Sequence, residues 1–127
     1  MREIRTLIVD DSSVMRKIIE RALRQAGLDP LVVHEAGSGM EGLDVLKAQH
    51  VDLILSDINM PLMDGLEFLR QLRAQKLAPH VPVVMITTES SEEHVRQAIL
   101  AGAQGYIRKP FTAEQVKERV LPLLDAA

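Results

Sequence analysis

Residues 4–11 read IRTLIVDD, a short apolar and β-branched run that stops at two adjacent carboxylates. The Leu7-Ile8-Val9 stretch is apolar at every position, the pattern of a strand covered on both faces by helices. Carboxylates at its C-terminal end fall where open parallel sheets bind their ligands. The same grammar recurs in LILSD at 53–57 and VVMITT at 83–88, and more weakly in LVVHE at 31–35 and GYIRK at 105–109. Strands are therefore expected at Ile4–Val9, Leu31–Glu35, Leu53–Ser56, Val83–Ile86 and Gly105–Arg108. The first, third and fourth are nearly all apolar and are expected at the centre of the sheet.

The segments between carry a helical period. Their apolar stripes are Val14, Ile18 and Ala22; Met40, Leu43 and Leu46; Leu66, Leu69 and Leu72; Val95, Ala98 and Gly102; and Val116, Val120 and Leu123. Capping boxes open four of them, at Ser38 with Glu41, Asp64 with Glu67 as a near variant, Ser90 with Glu93, and Thr112 with Gln115. Pro122 lies inside the last helix, where a missing N–H is expected to kink or shorten it. Five strand–helix pairs without linker or repeat predict a single doubly wound (βα)5 α/β domain over residues 1–127.

Composition narrows the function. The chain has 127 residues, 46% hydrophobic and 26% charged, as a single soluble domain should be. Fifteen basic against 18 acidic side chains leave a formal charge of −3, which offers no basic field for a phosphate backbone, so no direct nucleic-acid partner is expected. The absence of Cys removes disulfides, thiolate metal sites and cysteine nucleophiles, and it fits a reducing compartment. No window approaches the roughly 18 apolar residues of a membrane span, so the reading is cytoplasmic with no membrane partner and a monomer by default.

The strand ends bring together Asp10 and Asp11, Asp57, Thr87 and Thr88, and Lys109. Clustered carboxylates repel and need a cation. With no Cys, an all-oxygen set suits Mg²⁺ or Mn²⁺, ions that bind through a few carboxylates together with a substrate phosphate. Phosphoryl transfer needs a metal, a second cation on the equatorial oxygens and an acceptor in line. Lys109 supplies that cation and Asp57, alone at its strand end after small Ser56, is the acceptor. Asp10 and Asp11, pointing oppositely if still extended, suit metal ligation. Any one of these residues alone is an ordinary turn or cap residue; their convergence is what points to a site.

Other features carry less. His34, His50, His80 and His94 have no ligand spacing and read as surface or loop residues. Met60, Met63 and Phe68 read as packing. Residues 37–42, GSGMEG, follow a strand and precede a helix in the dinucleotide-binding pattern G-x-G-x-x-G. They follow the second strand and leave the acidic cluster unexplained, so turn and capping glycines account for them better. A Mg²⁺-dependent phosphohydrolase with an Asp nucleophile is the other alternative, but the common Asp-x-Asp after the first strand is missing.

Four segments, IVDDSSVMR at 8–16, SDINMPLMDGLEFL at 56–69, ITTES at 86–90 and AGAQGYIRKPF at 101–111, resemble the receiver domains of two-component response regulators, most closely the single-domain chemotaxis members. The resemblance spans nearly the whole chain. It implies a flavodoxin-like fold with strand order 2-1-3-4-5. It also implies Asp57 as acceptor of a phosphoryl group from a histidine kinase or histidine phosphotransfer protein. Mg²⁺ would be held by the Asp11 and Asp57 side chains, the Asn59 backbone carbonyl and, through water, Asp10. Lys109, before a cis peptide to Pro110, would contact the phosphoryl group, and Thr87 would move towards it, letting Tyr106 turn inward. Asn59 and Glu89 would tune phosphoryl lifetime. The output face would be residues 91–102, 105–108 and 112–124, read by a separate protein such as the flagellar motor switch. Departures from the chemotaxis pattern are Ile58 in place of a frequent Trp, the acidic pair Glu92 and Glu93, and Pro122.

Overall fold

The computed structural model describes residues 3–88 and 92–125. Five strands, β1 (Ile4–Val9), β2 (Leu31–Ala36), β3 (Leu53–Asp57), β4 (Val83–Thr87) and β5 (Gly105–Arg108), alternate with five helices. These are α1 (Ser13–Gln25), α2 (Gly39–Ala48), α3 (Gly65–Ala74), α4 (Glu92–Leu100) and α5 (Ala113–Asp125). All strand pairs are parallel and the sheet order is β2-β1-β3-β4-β5. The three most apolar strands are indeed the inner ones.

Strand alternation divides the core. Leu7, Val9, Ile54, Val83 and Met85 pack on one face with Leu43 and Leu46 of α2, Leu66, Leu69 and Leu72 of α3, and Ala98 of α4. Ile8, Leu53, Leu55, Val84, Ile86 and Ile107 pack on the other with Ile19, Ala22 and Leu23 of α1 and Val116 and Val120 of α5. The sheet is buried on both sides, as its continuous apolar runs require.

One expected stripe is turned, and a second loses one member while Leu43 and Leu46 are buried as expected. On α1, Val14 and Ile18 are 69% and 44% exposed, and Met15, Ile19, Ala22 and Leu23 face the sheet instead. Apolar residues at 14, 15, 18, 19, 22 and 23 offer two adjacent stripes, and spacing alone does not choose between them. On α2, Met40 is 59% exposed while Gly39 and Gly42 are buried. A Cβ at Gly42 would come within 2.8 Å of the Phe68 ring, and one at Gly39 within 2.6 Å of Met63 Sδ. Gly39 and Gly42 of the GSGMEG segment thus admit the side chains of Met63 and Phe68, a packing role for these glycines. On α4, Ala98 is fully buried whereas Val95 and Gly102 are only half-buried.

Three capping expectations hold. Ser38 accepts from the Glu41 N–H, Asp64 from the Glu67 N–H, and Thr112 and Gln115 cap each other reciprocally. Ser90, like Glu89, lies outside the described residues. Pro122 neither ends nor shortens α5, which continues to Asp125. Leu121, Leu123 and Leu124 pack against the core from this last turn, and their burial outweighs one lost helical hydrogen bond.

Candidate functional site

The strands β3 and β4 run one residue beyond expectation, so Asp57 and Thr87 sit on the last rungs of the sheet, paired in register with Ile86 and Arg108. Asp57 is nearly buried. Ser56 Oγ donates to its carbonyl at 3.0 Å, and Gly65 N–H donates to the Ile58 carbonyl at 2.7 Å, folding the β3–α3 loop back over the strand end. A Cβ on Gly65 would collide with the Asp57 carbonyl oxygen, so glycine is required where α3 starts.

Asp10 follows β1, buried to 1% exposure, with its N–H donating to the Ala36 carbonyl at 3.0 Å. Its Oδ1 accepts from the Ser12 N–H at 2.9 Å, an Asx turn that ends the extended chain. Asp11 lies at a bend, and the opposed side chains expected of an extended pair are not found. Instead one oxygen from each of Asp10, Asp11 and Asp57 lies within 4.8 Å of the others. Lys109 Nζ stands 3.3 Å from Asp10 Oδ2 and 3.6 Å from Asp57 Oδ1. Its peptide bond to Pro110 is cis, and its N–H donates to the Thr87 carbonyl at 2.8 Å.

One ammonium against three carboxylates leaves the cluster anionic. Burial pushes the Asp57 carboxyl above the ordinary aspartate range and the Asp10 charge adds to this, while the Lys109 ammonium and the Asn59 N–H, 3.3 Å from Oδ1, pull it down. An all-oxygen donor set, two members buried and Asp11 open to water, fits a hard divalent ion that keeps part of its hydration shell. Thr87 is fully buried and, two residues beyond Met85, shares the sheet face of Tyr106, the register partner of Met85. The Tyr106 ring is half-buried and lies 5.3 Å from the Arg119 guanidinium carbon.

The comparisons with known proteins agree with this arrangement. Residues 6–121 match the response regulator receiver domain family. The chain belongs to the response regulator receiver family. This receiver is 41% identical over 119 residues to the chemotaxis protein CheY-3 of Vibrio cholerae, covering 94% of the chain and 90% of the relative. It is 41% identical over 122 residues to a chemotaxis protein CheY homolog of Campylobacter jejuni, covering 95% and 92%. Among solved structures, Vibrio cholerae CheY4 superposes with a TM-score of 0.86 at 34% identity, covering 97% of this receiver and 100% of that chain. A CheY-like receiver from Methanospirillum hungatei gives 0.85 at 32%, covering 98% and 96%. The dinucleotide-binding and phosphohydrolase alternatives find no support.

Of the residues singled out in the sequence, Asp10, Asp11, Asp57 and Lys109 converge, with the Asn59 N–H touching Asp57. Met60 and Phe68 are buried and Met63 packs against the core, as expected. His34 departs from the surface reading: it lies within β2 with a buried Nε2 that has no hydrogen-bond partner. Three residues of the receiver site were not singled out. Ser12 caps α1 by accepting from the Met15 N–H, Gly65 clears the approach of α3, and Arg16 donates from Nη1 to the Asp10 carbonyl at 2.6 Å. The clue to Arg16 was its place in the first turn of a helix, from which side chains tilt back towards the N-terminus.

Proposed function

We propose that this receiver is a phosphorylation-controlled switch in which Asp57 is the phosphoacceptor. The observation that carries the reading is the convergence of Asp10, Asp11 and Asp57, with the Lys109 ammonium between Asp10 and Asp57. An Asp57 carboxylate oxygen attacks the phosphorus of a phosphohistidine on a kinase or phosphotransfer protein. The new O–P bond forms as the P–N bond breaks, and the imidazole leaves with the bonding pair and takes up a proton. The chain catalyses its own phosphorylation and slow dephosphorylation only.

Mg²⁺, or Mn²⁺, bound here supplies charge neutralisation for the phosphoryl oxygens and the anionic cluster. The Asp11 and Asp57 side chains and the Asn59 backbone carbonyl would hold it, with Asp10 acting through water. Lys109 takes the second cationic role and exchanges part of its contact with Asp57 for a phosphoryl oxygen. The Thr87 hydroxyl then bonds the phosphoryl group and Tyr106 turns inward on the face they share. Phosphorylation biases this equilibrium only by contacts made better in the active arrangement. The altered face of α4, β5 and α5 binds a separate protein in the cytoplasm. The relatives named as chemotaxis proteins make chemotaxis the pathway to test first, with the flagellar motor switch as candidate partner.

The deciding experiment is an intact-mass spectrum after incubation with Mg²⁺ and a small acyl or amido phosphate. A single phosphoryl adduct, lost in Asp57→Asn and with a chelator, is the expected result. An adduct that persists in Asp57→Asn would remove Asp57 from the role.

A further inference from the structure

We propose that Arg16 is a positioning residue that sets the Asp10–Asp11 turn and thereby the affinity of the site for a divalent ion. The inference rests on reading Asp10, Asp11 and Asp57 as the ion-holding set. Ser12 caps α1, so Arg16 lies in its first turn and its side chain leans back over the loop that follows β1. There Nη1 donates to the carbonyl of Asp10 at 2.6 Å, the oxygen of the peptide unit that joins the two aspartates. Nε donates to Glu35 Oε1 at 2.9 Å, and Lys17 Nζ holds the other oxygen of Glu35 at 2.8 Å.

Glu35 closes the arrangement from β2. Its carboxyl is held below the ordinary range by the Lys17 and Arg16 hydrogen bonds, so it stays ionised and keeps the guanidinium in place. Asp10 is then held at three points: its N–H by the Ala36 carbonyl, its side chain by the Ser12 N–H and its carbonyl, the oxygen of the Asp10–Asp11 peptide, by Arg16. With the peptide held this way, both carboxylates lie near Asp57 in place of the opposed directions of an extended pair. Groups that orient ligands from behind change metal affinity by about 10- to 100-fold when removed.

Coulombic and positioning roles predict opposite signs. Deleting a positive charge near an anionic site strengthens cation binding, whereas freeing the Asp10–Asp11 peptide weakens it. The test is a Mg²⁺ titration of the whole protein followed by backbone amide NMR shifts, which also report that each variant is folded. Arg16→Met is expected to weaken binding by about 10- to 100-fold, Arg16→Lys to weaken it less, and the charge-removal control Arg21→Met to bind as wild type. Binding as tight as wild type, or tighter, in Arg16→Met overturns the proposal.

A second measurement needs no ion. In chelator, the Ser12 amide, which donates to Asp10 Oδ1, should exchange with solvent faster in Arg16→Met than in wild type or Arg21→Met. Equal rates overturn the positioning role. A wild type that binds no Mg²⁺ would sink the proposed function, and the exchange difference would then decide the role of Arg16 by itself.

Discussion

Asp57, the proposed phosphoacceptor, carries a charge that its burial resists. Its folded-state titration is raised above the ordinary range, burial being the largest cause. The stability that protonation contributes is complete below the unfolded carboxylate range and is lost as pH rises through the raised value. Asp57→Asn, which has the neutral form's shape, should therefore be more stable than wild type at neutral pH in chelator, by about 1 kcal/mol. Urea denaturation across pH should show that gap closing in acid; a gap that grew in acid would contradict the account. Lys109 answers the same charge from the other side, with its side chain 14% exposed between Asp10 and Asp57. Lys109→Met leaves two nearly buried carboxylates uncompensated and should cost about 2 kcal/mol. Added Mg²⁺ should raise the melting temperature of this variant more than that of wild type, and an equal rise would mean the ammonium does not balance the cluster.

At the scale of elements, helix ends and helix faces carry different kinds of information. The reciprocal cap of α5 joins Thr112 Oγ1 to the Gln115 N–H at 3.1 Å and Gln115 Oε1 to the Thr112 N–H at 2.9 Å. Thr112→Ala should cost about 1 kcal/mol, read by urea denaturation with unchanged slope; no loss would mean that packing of Val116 and Val120 alone holds the helix start. Such boxes are local in sequence and were legible at Ser38, Asp64 and Thr112. The α1 face was not, because Val14 and Ile18 form as good a stripe as Met15 and Ile19, and the choice is made by the sheet and by the hydrogen bonds of Arg16 to Asp10 and Glu35. The continuation of α5 through Pro122 is decided the same way, by the burial of the leucines around it.

Across the whole molecule, the site depends on how closely α3 approaches β3. A Cβ at Gly65 meets backbone, the Asp57 carbonyl and Ile58 Cα, whereas one at Gly39 meets the flexible Met63 side chain. Gly65→Ala should therefore cost about 3 kcal/mol and displace Asp57, while Gly39→Ala should cost less because Met63 can change rotamer. Thermal unfolding of the two variants checks the order, and an equally mild Gly65→Ala would show that α3 can retreat without loss. The alternating pattern of strands and helices, the inner position of β1, β3 and β4, and the placing of Asp10, Asp57, Thr87 and Lys109 at one sheet edge were determined by the sequence itself, because period, cap and strand-end position are properties of neighbours along the chain. The convergence of Asp11 with Asp10, the face that α1 buries, the contact of Arg16 with the Asp10 carbonyl and the glycine contacts at α2 and α3 were decided only by the tertiary structure. Each depends on groups remote along the chain or on the turn taken where a strand ends, which no local pattern of neighbours specifies.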